Sequence, residues 1–298
     1  MLTVATRGAL RAELARRRGA GARVAFVPTM GALHDGHLAL VDEARRRAEV
    51  VVMSVFVNPL QFAPTDDFAR YPRDPAGDAA KAAAHGVDVL FAPDAAELYP
   101  REPRVRVVPG PIADRWEGAV RPGHFAGVLT VVAKLLHLVG PDVAVFGQKD
   151  AQQVAVVRAM LEDLDFGTEL VVAPTVREAD GLARSSRNVY LDGDARRRAA
   201  AIPRALAAME DAFAAGERSA DALARAAASE LRASGLAPDY LALTDPATLD
   251  PVEVAGPGTL VMVAARVGPT RLLDTVVLGD ARYGTGLTGA GLAGARAG

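Results

Sequence analysis

Cysteine is absent from the 298 residues. Disulfides, thiolate nucleophiles and cysteine-ligated metals are thereby excluded, and a reducing, cytoplasmic setting is expected. No apolar run reaches the length of about 18 residues that a spanning helix needs, so no membrane helix is expected. The first 18 residues carry arginines at 7, 11 and 16–18 with no apolar block behind them, which is not the pattern of a secretory signal. Charge of one sign is also lacking. A net −2 provides no global field for nucleic acid or an anionic bilayer, and neither is expected as a partner. Lysine is almost missing: Lys81, Lys134 and Lys149 stand alone among arginines. Where general positive charge is written as arginine, a retained lysine, with its compact point charge, marks a specific task.

What remains is an ordinary globular balance, 50% hydrophobic and 23% charged, in a chain long enough for two domains. In the first half, short β-rich runs alternate with helical periodicity. Strands are expected at 24–27, 50–57, 87–91, 143–146 and 170–172, and helices at 10–18, 37–48, 78–85, 128–139 and 151–164. Val50 to Val57 is nearly continuous in apolar, β-branched residues, as in a strand buried on both faces. This alternation implies an α/β fold with a doubly wound parallel sheet, whose ligands gather at the carboxyl ends of the strands. The second half reads as a smaller α+β unit, with helices at 194–215 and 220–234. Its strands are expected at 240–243, 260–265 and 271–278, the last two joined by Gly268-Pro269. The expected division is 1–175, 176–283, and a disordered Gly/Ala-rich tail at 284–298.

Four segments carry chemistry. In Pro28-Thr29-Met30-Gly31-Ala32-Leu33-His34-Asp35-Gly36-His37 a strand passes through a glycine loop into a helix. A helix N-terminus favours phosphate, and two imidazoles three residues apart can bond phosphate oxygens. The same histidines also suit loop and cap positions. A zinc site lacks a third nearby ligand. In Phe56 to Phe62, Asn58 and Gln61 are amides suited to hydroxyl or carboxylate recognition, although Asn-Pro equally opens a turn. In Phe146-Gly147-Gln148-Lys149-Asp150, Lys149 stands where a strand hands over to a helix, with Gln153 one turn further on. In Asp180 to Asn188, Ser185, Ser186 and Arg187 form a donor cluster suited to polyphosphate, or a surface loop.

In this order PTMGALHDGH, FVNPLQF, RPGHFAGV, FGQKDAQQ and GLARSSRN resemble the pantothenate synthetase family, the pantoate–β-alanine ligases of the HxGH nucleotidyltransferase superfamily. The similarity runs strongly from 24 to 188 and more loosely to 283. It implies a Rossmann-like domain with a small C-terminal lid, paired as a homodimer. It also implies a reaction that joins pantoate to β-alanine with ATP and Mg²⁺ and releases AMP and pyrophosphate.

The resemblance assigns His34, His37 and Lys149 to the ATP phosphates, and Ser185, Ser186 and Arg187 to a closing loop like KMSKS. Met30, Gly147, Asp150, Val176 and Arg184 join the nucleotide contacts. Met30, Asn58, Gln61, Arg121 and Gln153 line the pantoate site, with His124 beside Arg121 in a positioning role. Asp78 matches an acid near the metal. Arg184 departs from the methionine usual in the family, and Gly77 and Lys81 from the polar or acidic residues expected beside Asp78.

In the implied chemistry the pantoate carboxylate is itself the nucleophile, so alignment and charge neutralisation suffice. Two alternatives stand beside it: a same-fold nucleotidyltransferase adenylylating a phosphate-bearing substrate, which calls for basic residues near Gln61, and a non-catalytic nucleotide-binding module. An aminoacyl-tRNA synthetase is disfavoured by the neutral charge.

Overall fold

Two near-continuous apolar runs, VAFVPT and VVVMSV, form the centre of a six-stranded sheet and are buried along almost their whole length. A computed structural model describes residues 1–19, 21–63 and 68–287. The first half is built from β1 (Leu2–Val4), α1 (Arg7–Arg18), β2 (Val24–Thr29), α2 (Asp35–Arg45) and β3 (Val50–Val55). It continues with α3 (Pro75–Ala84), β4 (Val89–Phe91), α4 (Ala95–Leu98), α5 (Glu117–Val120) and α6 (His124–Val139), then β5 (Val143–Gly147), α7 (Ala151–Asp163) and β6 (Glu169–Ala173).

The sheet order is β1-β4-β3-β2-β5-β6, and every pairing is parallel. Chain order runs outward from β2 to β3 and β4 on one side, and to β5 and β6 on the other. The switch point therefore lies between β2 and β5, where α/β sheets open a crevice for ligands. β1 is an element the sequence pattern did not reveal. Its three residues are too few to show a period, and only the edge pairing with Val89 to Phe91 makes them a strand.

The second half holds α8 (Gly193–Ala199), α9 (Ala201–Ala214), α10 (Ala220–Ala233), β7 (Pro238–Thr244), β8 (Leu260–Val267) and β9 (Thr270–Val277). The three strands are antiparallel in the order β7-β8-β9. Gly268-Pro269 makes the two-residue turn between β8 and β9. The helix expected over 194–215 divides at Ala200, because Pro203 has no N–H to offer the Ala199 carbonyl. Leu206, Leu223, Leu231, Val261 and Val276 share one apolar core.

By internal contacts the chain divides into Met1–Gly147 with Val156–Ala173, and Gln148–Ala155 with the chain from Pro174 onward. The second unit thus takes eight residues, 148–155, that a single cut at 175 would leave with the first. Inside it, Gln148 Nε2 donates to the carbonyls of Thr275 (3.4 Å) and Tyr283 (3.1 Å), and Thr275 Oγ1 donates to Lys149 O at 2.9 Å. The expected disordered tail also starts too early. Thr285 is buried, and its Oγ1 donates to Glu210 Oε2 at 2.6 Å, while Leu287 and Pro203 close over Gly181. Burial pushes the Glu210 carboxyl up, and the Thr285 donors offset part of that. Composition cannot show that a buried carboxylate awaits this segment. Residues 288–298 lie outside the described residues.

Candidate active site

The loop after β2 is a strained turn held from below. Gly31 has φ +83° and Ala32 φ +50°. A Cβ on Gly31 would sit 2.8 Å from Asp78 Oδ2 and 2.9 Å from Val55 Cγ1, so only glycine fits. Asp78 is 2% exposed, and its two oxygens accept the backbone N–H groups of Ala32 (2.9 Å) and Leu33 (2.7 Å). One helical turn along α3, Lys81 Nζ donates to Leu33 O at 2.8 Å. Both Asp78 oxygens thus hold the loop backbone, an anchoring role that the sequence did not assign. Among the described residues, no group of three or more His, Asp or Glu could hold a metal ion. Lys81, which the sequence presented as a departure, is a loop anchor three residues from Asp78 on the same helical face.

The loop ends in a capping box. α2 begins at Asp35, two residues earlier than expected, with His34 as N-cap. His34 Nδ1 accepts from Gly36 N at 3.2 Å, and His37 Nδ1 accepts from His34 N at 3.4 Å. The rings stack with centroids 4.0 Å apart. A capping role and a ligand role are therefore compatible. With each Nδ1 accepting, the neutral tautomer carries its hydrogen on Nε2, which makes both rings donors there. Two donors at a helix N-terminus suit an anionic oxygen.

After β3 the chain turns through a short 3₁₀ helix, Pro59–Gln61, whose cap is Asn58. That turn lies on α6 at Gly127. A Cβ there would be 2.2 Å from Leu60 O and 2.6 Å from Gln61 Cα, so the approach needs glycine. Gln61 is clamped at both ends. Its backbone carbonyl accepts from Arg121 NH2 (3.2 Å) and His124 Nδ1 (2.9 Å). Its Oε1 accepts from Asn58 Nδ2 at 3.0 Å, and its Nε2 lies 3.3 Å from Met30 Sδ. Met30 and Gln61 are thus brought together as expected. Asn58 is 1% exposed and bonded throughout to protein groups, so it supports Gln61 instead of lining the site. Arg121 likewise reaches the Gln61 backbone, and its charge faces buried Glu117 at 3.4 Å.

In the second unit, Lys149 is half-buried with Asp150 Oδ2 at 3.7 Å, and Gln153 is half-buried on the first turn of α7. Ser185 caps the 3₁₀ helix Ser186–Tyr190, its Oγ accepting from Arg187 N at 3.3 Å. Arg184 N donates to Val176 O at 2.9 Å, and its guanidinium stands 3.5 Å from Glu178. Arg196 pairs with the same Glu178 at 2.6 Å. Gly147 ends β5 in the first unit. Tyr99, Gly127 and Lys81 were missed in the sequence. Lys81 had a signal in the scarcity of lysine, and Gly127 in its place within RPGHFAGV, but nothing singled out Tyr99.

Known proteins share this sequence and this fold. The chain is 52% identical over 276 residues to the pantothenate synthetase of Acidothermus cellulolyticus, covering 91% of this chain and 89% of that one. The crystal structure of pantothenate synthetase from Thermus thermophilus superposes with TM-score 0.89 at 50% identity, covering 95% of this chain and all of that one. A Francisella tularensis pantoate-beta-alanine ligase, solved with beta-gamma ATP and beta-alanine, matches with TM-score 0.76 at 31% identity, covering 93% of this chain and 97% of its own. The family model described as pantoate-beta-alanine ligase matches residues 2–277, and this chain belongs to that family.

Proposed function

We propose that the chain joins pantoate to β-alanine with ATP, through a pantoyl-adenylate, releasing AMP and pyrophosphate. The observation that carries this reading is the clamped Gln61 amide beside Met30, on a fold whose relatives are ligases of this kind. An amide recognises a hydroxy acid without adding charge. A phosphate-bearing substrate would call for an uncommitted cation at this place, whereas Arg121 faces Glu117.

The steps follow from the groups present. A pantoate carboxylate oxygen attacks the α-phosphorus, and pyrophosphate leaves. The β-alanine amine then attacks the acyl carbon and loses a proton, and AMP leaves with the carboxylate oxygen. His34 and His37 donate from Nε2 to phosphate oxygens, and Lys149 balances charge growing on the phosphoryl group. Gly147, Asp150, Val176 and the Arg184 backbone contact the nucleotide. Gln61 and Gln153 hold pantoate. The Ser185–Arg187 segment covers the adenylate and keeps water from it. Magnesium arrives with the ATP phosphates as part of the substrate, while Asp78, buried and bonded to the N–H groups of Ala32 and Leu33, anchors the loop. The enzyme works in the cytoplasm as a homodimer, a reading supported by the absence of cysteine and by the family resemblance. Light scattering that reports a monomer would remove the dimer.

The test omits β-alanine. ATP, Mg²⁺ and pantoate alone should yield enzyme-bound adenylate and pyrophosphate stoichiometric with enzyme. Oxygen label in the pantoate carboxylate should appear in AMP once the amine is added. Label in inorganic phosphate, with ADP released, would establish an acyl-phosphate route instead.

A further inference from the structure

Asn58 has an unambiguous orientation. The backbone N–H of Leu60 can only donate, and it faces Oδ1 at 3.4 Å; the Gly127 carbonyl can only accept, and it faces Nδ2 at 3.1 Å. The second Nδ2 hydrogen goes to Gln61 Oε1 at 3.0 Å. Gln61 therefore turns its oxygen inward and presents its NH₂ beside Met30 Sδ. The group it meets in a substrate must be an acceptor oxygen.

One further bond completes this chain. The hydroxyl of Tyr99 donates to Asn58 Oδ1 at 3.0 Å. Tyr99 comes from a distant part of the sequence, at the C-terminal end of α4, and three contacts hold that short helix and ring in place. Asp94 caps α4 through Glu97 N at 2.7 Å, and Glu97 accepts from Arg7 N and Nε at 2.8 and 3.0 Å. The Lys134 ammonium lies 5.3 Å from the Tyr99 ring centroid, within cation–π range. Lys134 was marked by the scarcity of lysine and has no other assigned task.

We propose that Tyr99 is a positioning residue for substrate recognition: through Asn58 it fixes which face of the Gln61 amide meets the substrate, so that an oxygen acceptor is selected. This rests on the reading that Gln61 binds pantoate. Without the Tyr99 hydroxyl, Asn58 Oδ1 keeps only the 3.4 Å bond from Leu60 N, and the amide pair is held less firmly. A substrate oxygen then meets a Gln61 NH₂ that is less well fixed in position.

Three variants test it: Tyr99→Phe, Gln61→Ala and the double variant. Tyr99→Phe keeps the ring, whose centroid lies 6.0 Å from that of Phe56 and 5.3 Å from the Lys134 ammonium, and removes only the hydroxyl. Steady-state kinetics give KM for each substrate, and calorimetric titration of pantoate in the presence of a non-hydrolysable ATP analogue covers variants too slow to assay. Tyr99→Phe should raise the pantoate KM and Kd about two- to tenfold, the range of one net hydrogen bond, with kcat and the ATP KM near wild type. In the Gln61→Ala background the same change should have no further effect, because the residue it acts through is gone. Equal effects in both backgrounds would show that Tyr99 acts on the fold at large and would overturn the proposal. So would a Tyr99→Phe enzyme with wild-type pantoate affinity beside a weakened Gln61→Ala. A Gln61→Ala enzyme with unchanged pantoate affinity would remove the binding role of Gln61, and this proposal with it, while leaving the ligase activity standing.

Discussion

Replacing Asp78 by asparagine separates a loop anchor from a metal ligand. The substitution conserves volume and turns one carboxylate oxygen into an NH₂. One of the two loop N–H groups, from Ala32 or Leu33, then keeps an acceptor and the other faces a donor. A hydrogen bond to a charged group contributes about 1.5–3 kcal/mol, and an orphaned buried donor costs about 1–3 kcal/mol; with overlap between these, the expected loss is about 2–4 kcal/mol. For a folded unit of this size each kcal/mol lowers Tm by about 2–4 °C, so calorimetry should record a fall of roughly 5–15 °C. The loop that relaxes is the strained one that leads into the His34 cap. A displacement of a few tenths of an ångström there should lower kcat/KM for ATP at least about tenfold. Free magnesium, varied independently of ATP, should keep its midpoint within about twofold, a shift of less than half a kcal/mol. A wild-type Tm with a magnesium midpoint raised about tenfold would return Asp78 to the metal and refute the anchor.

Three more outcomes follow from the geometry. Gly127→Ala forces the Pro59–Gln61 turn outward to relieve a 2.2 Å clash with Leu60 O, so pantoate kcat/KM should fall on the order of 10–100-fold while the ATP KM changes little; equal losses for both substrates would deny the local reading. Lys149→Ala should lower kcat by about 10²–10³-fold with Tm nearly unchanged, and a near-native kcat would dismiss the charge role. Truncation after Leu287 should be silent, whereas truncation before Gly284 leaves Glu210 buried without its Thr285 donors and should cost about 1–3 kcal/mol of stability; identical melting of the two truncations would show that the segment contributes nothing.

Much of the site could be read in one dimension because its parts follow strand ends. An apolar run that passes into a polar cluster marks the places where a parallel sheet delivers side chains to a crevice; the loops after β2, β3 and β5 all show it, with glycine at the turn after β2 and at the end of β5. What could not be read were the supports. Asp78 and Lys81 are separated from Ala32 and Leu33 by about 45 residues, and no local period links them. Asn58 looked like a ligand because amides bind substrates. Only the carbonyl of Gly127 and the hydroxyl of Tyr99, each reached through the fold, show that its valences are filled. The histidines were open between cap and ligand in the sequence, and their geometry serves both: Nδ1 belongs to the backbone, and the hydrogen sits on Nε2. β1 escaped because three residues carry no periodicity and the strand exists by its pairing.

Neither compact unit is a contiguous stretch of chain. The path passes from one to the other at 147/148, returns at 155/156 in the middle of α7, and leaves again at 173/174. A gene fragment beginning at Pro174 would therefore encode an incomplete object. It would lack the strip whose Gln148 side chain and Lys149 carbonyl bond to Thr275 and Tyr283. The smaller unit is consequently discontinuous in the gene, and a single joint at 173/174 parts it from some of its own contacts. Chimaeras of two relatives should melt higher when 148–155 comes from the same parent as the C-terminal half than when it does not.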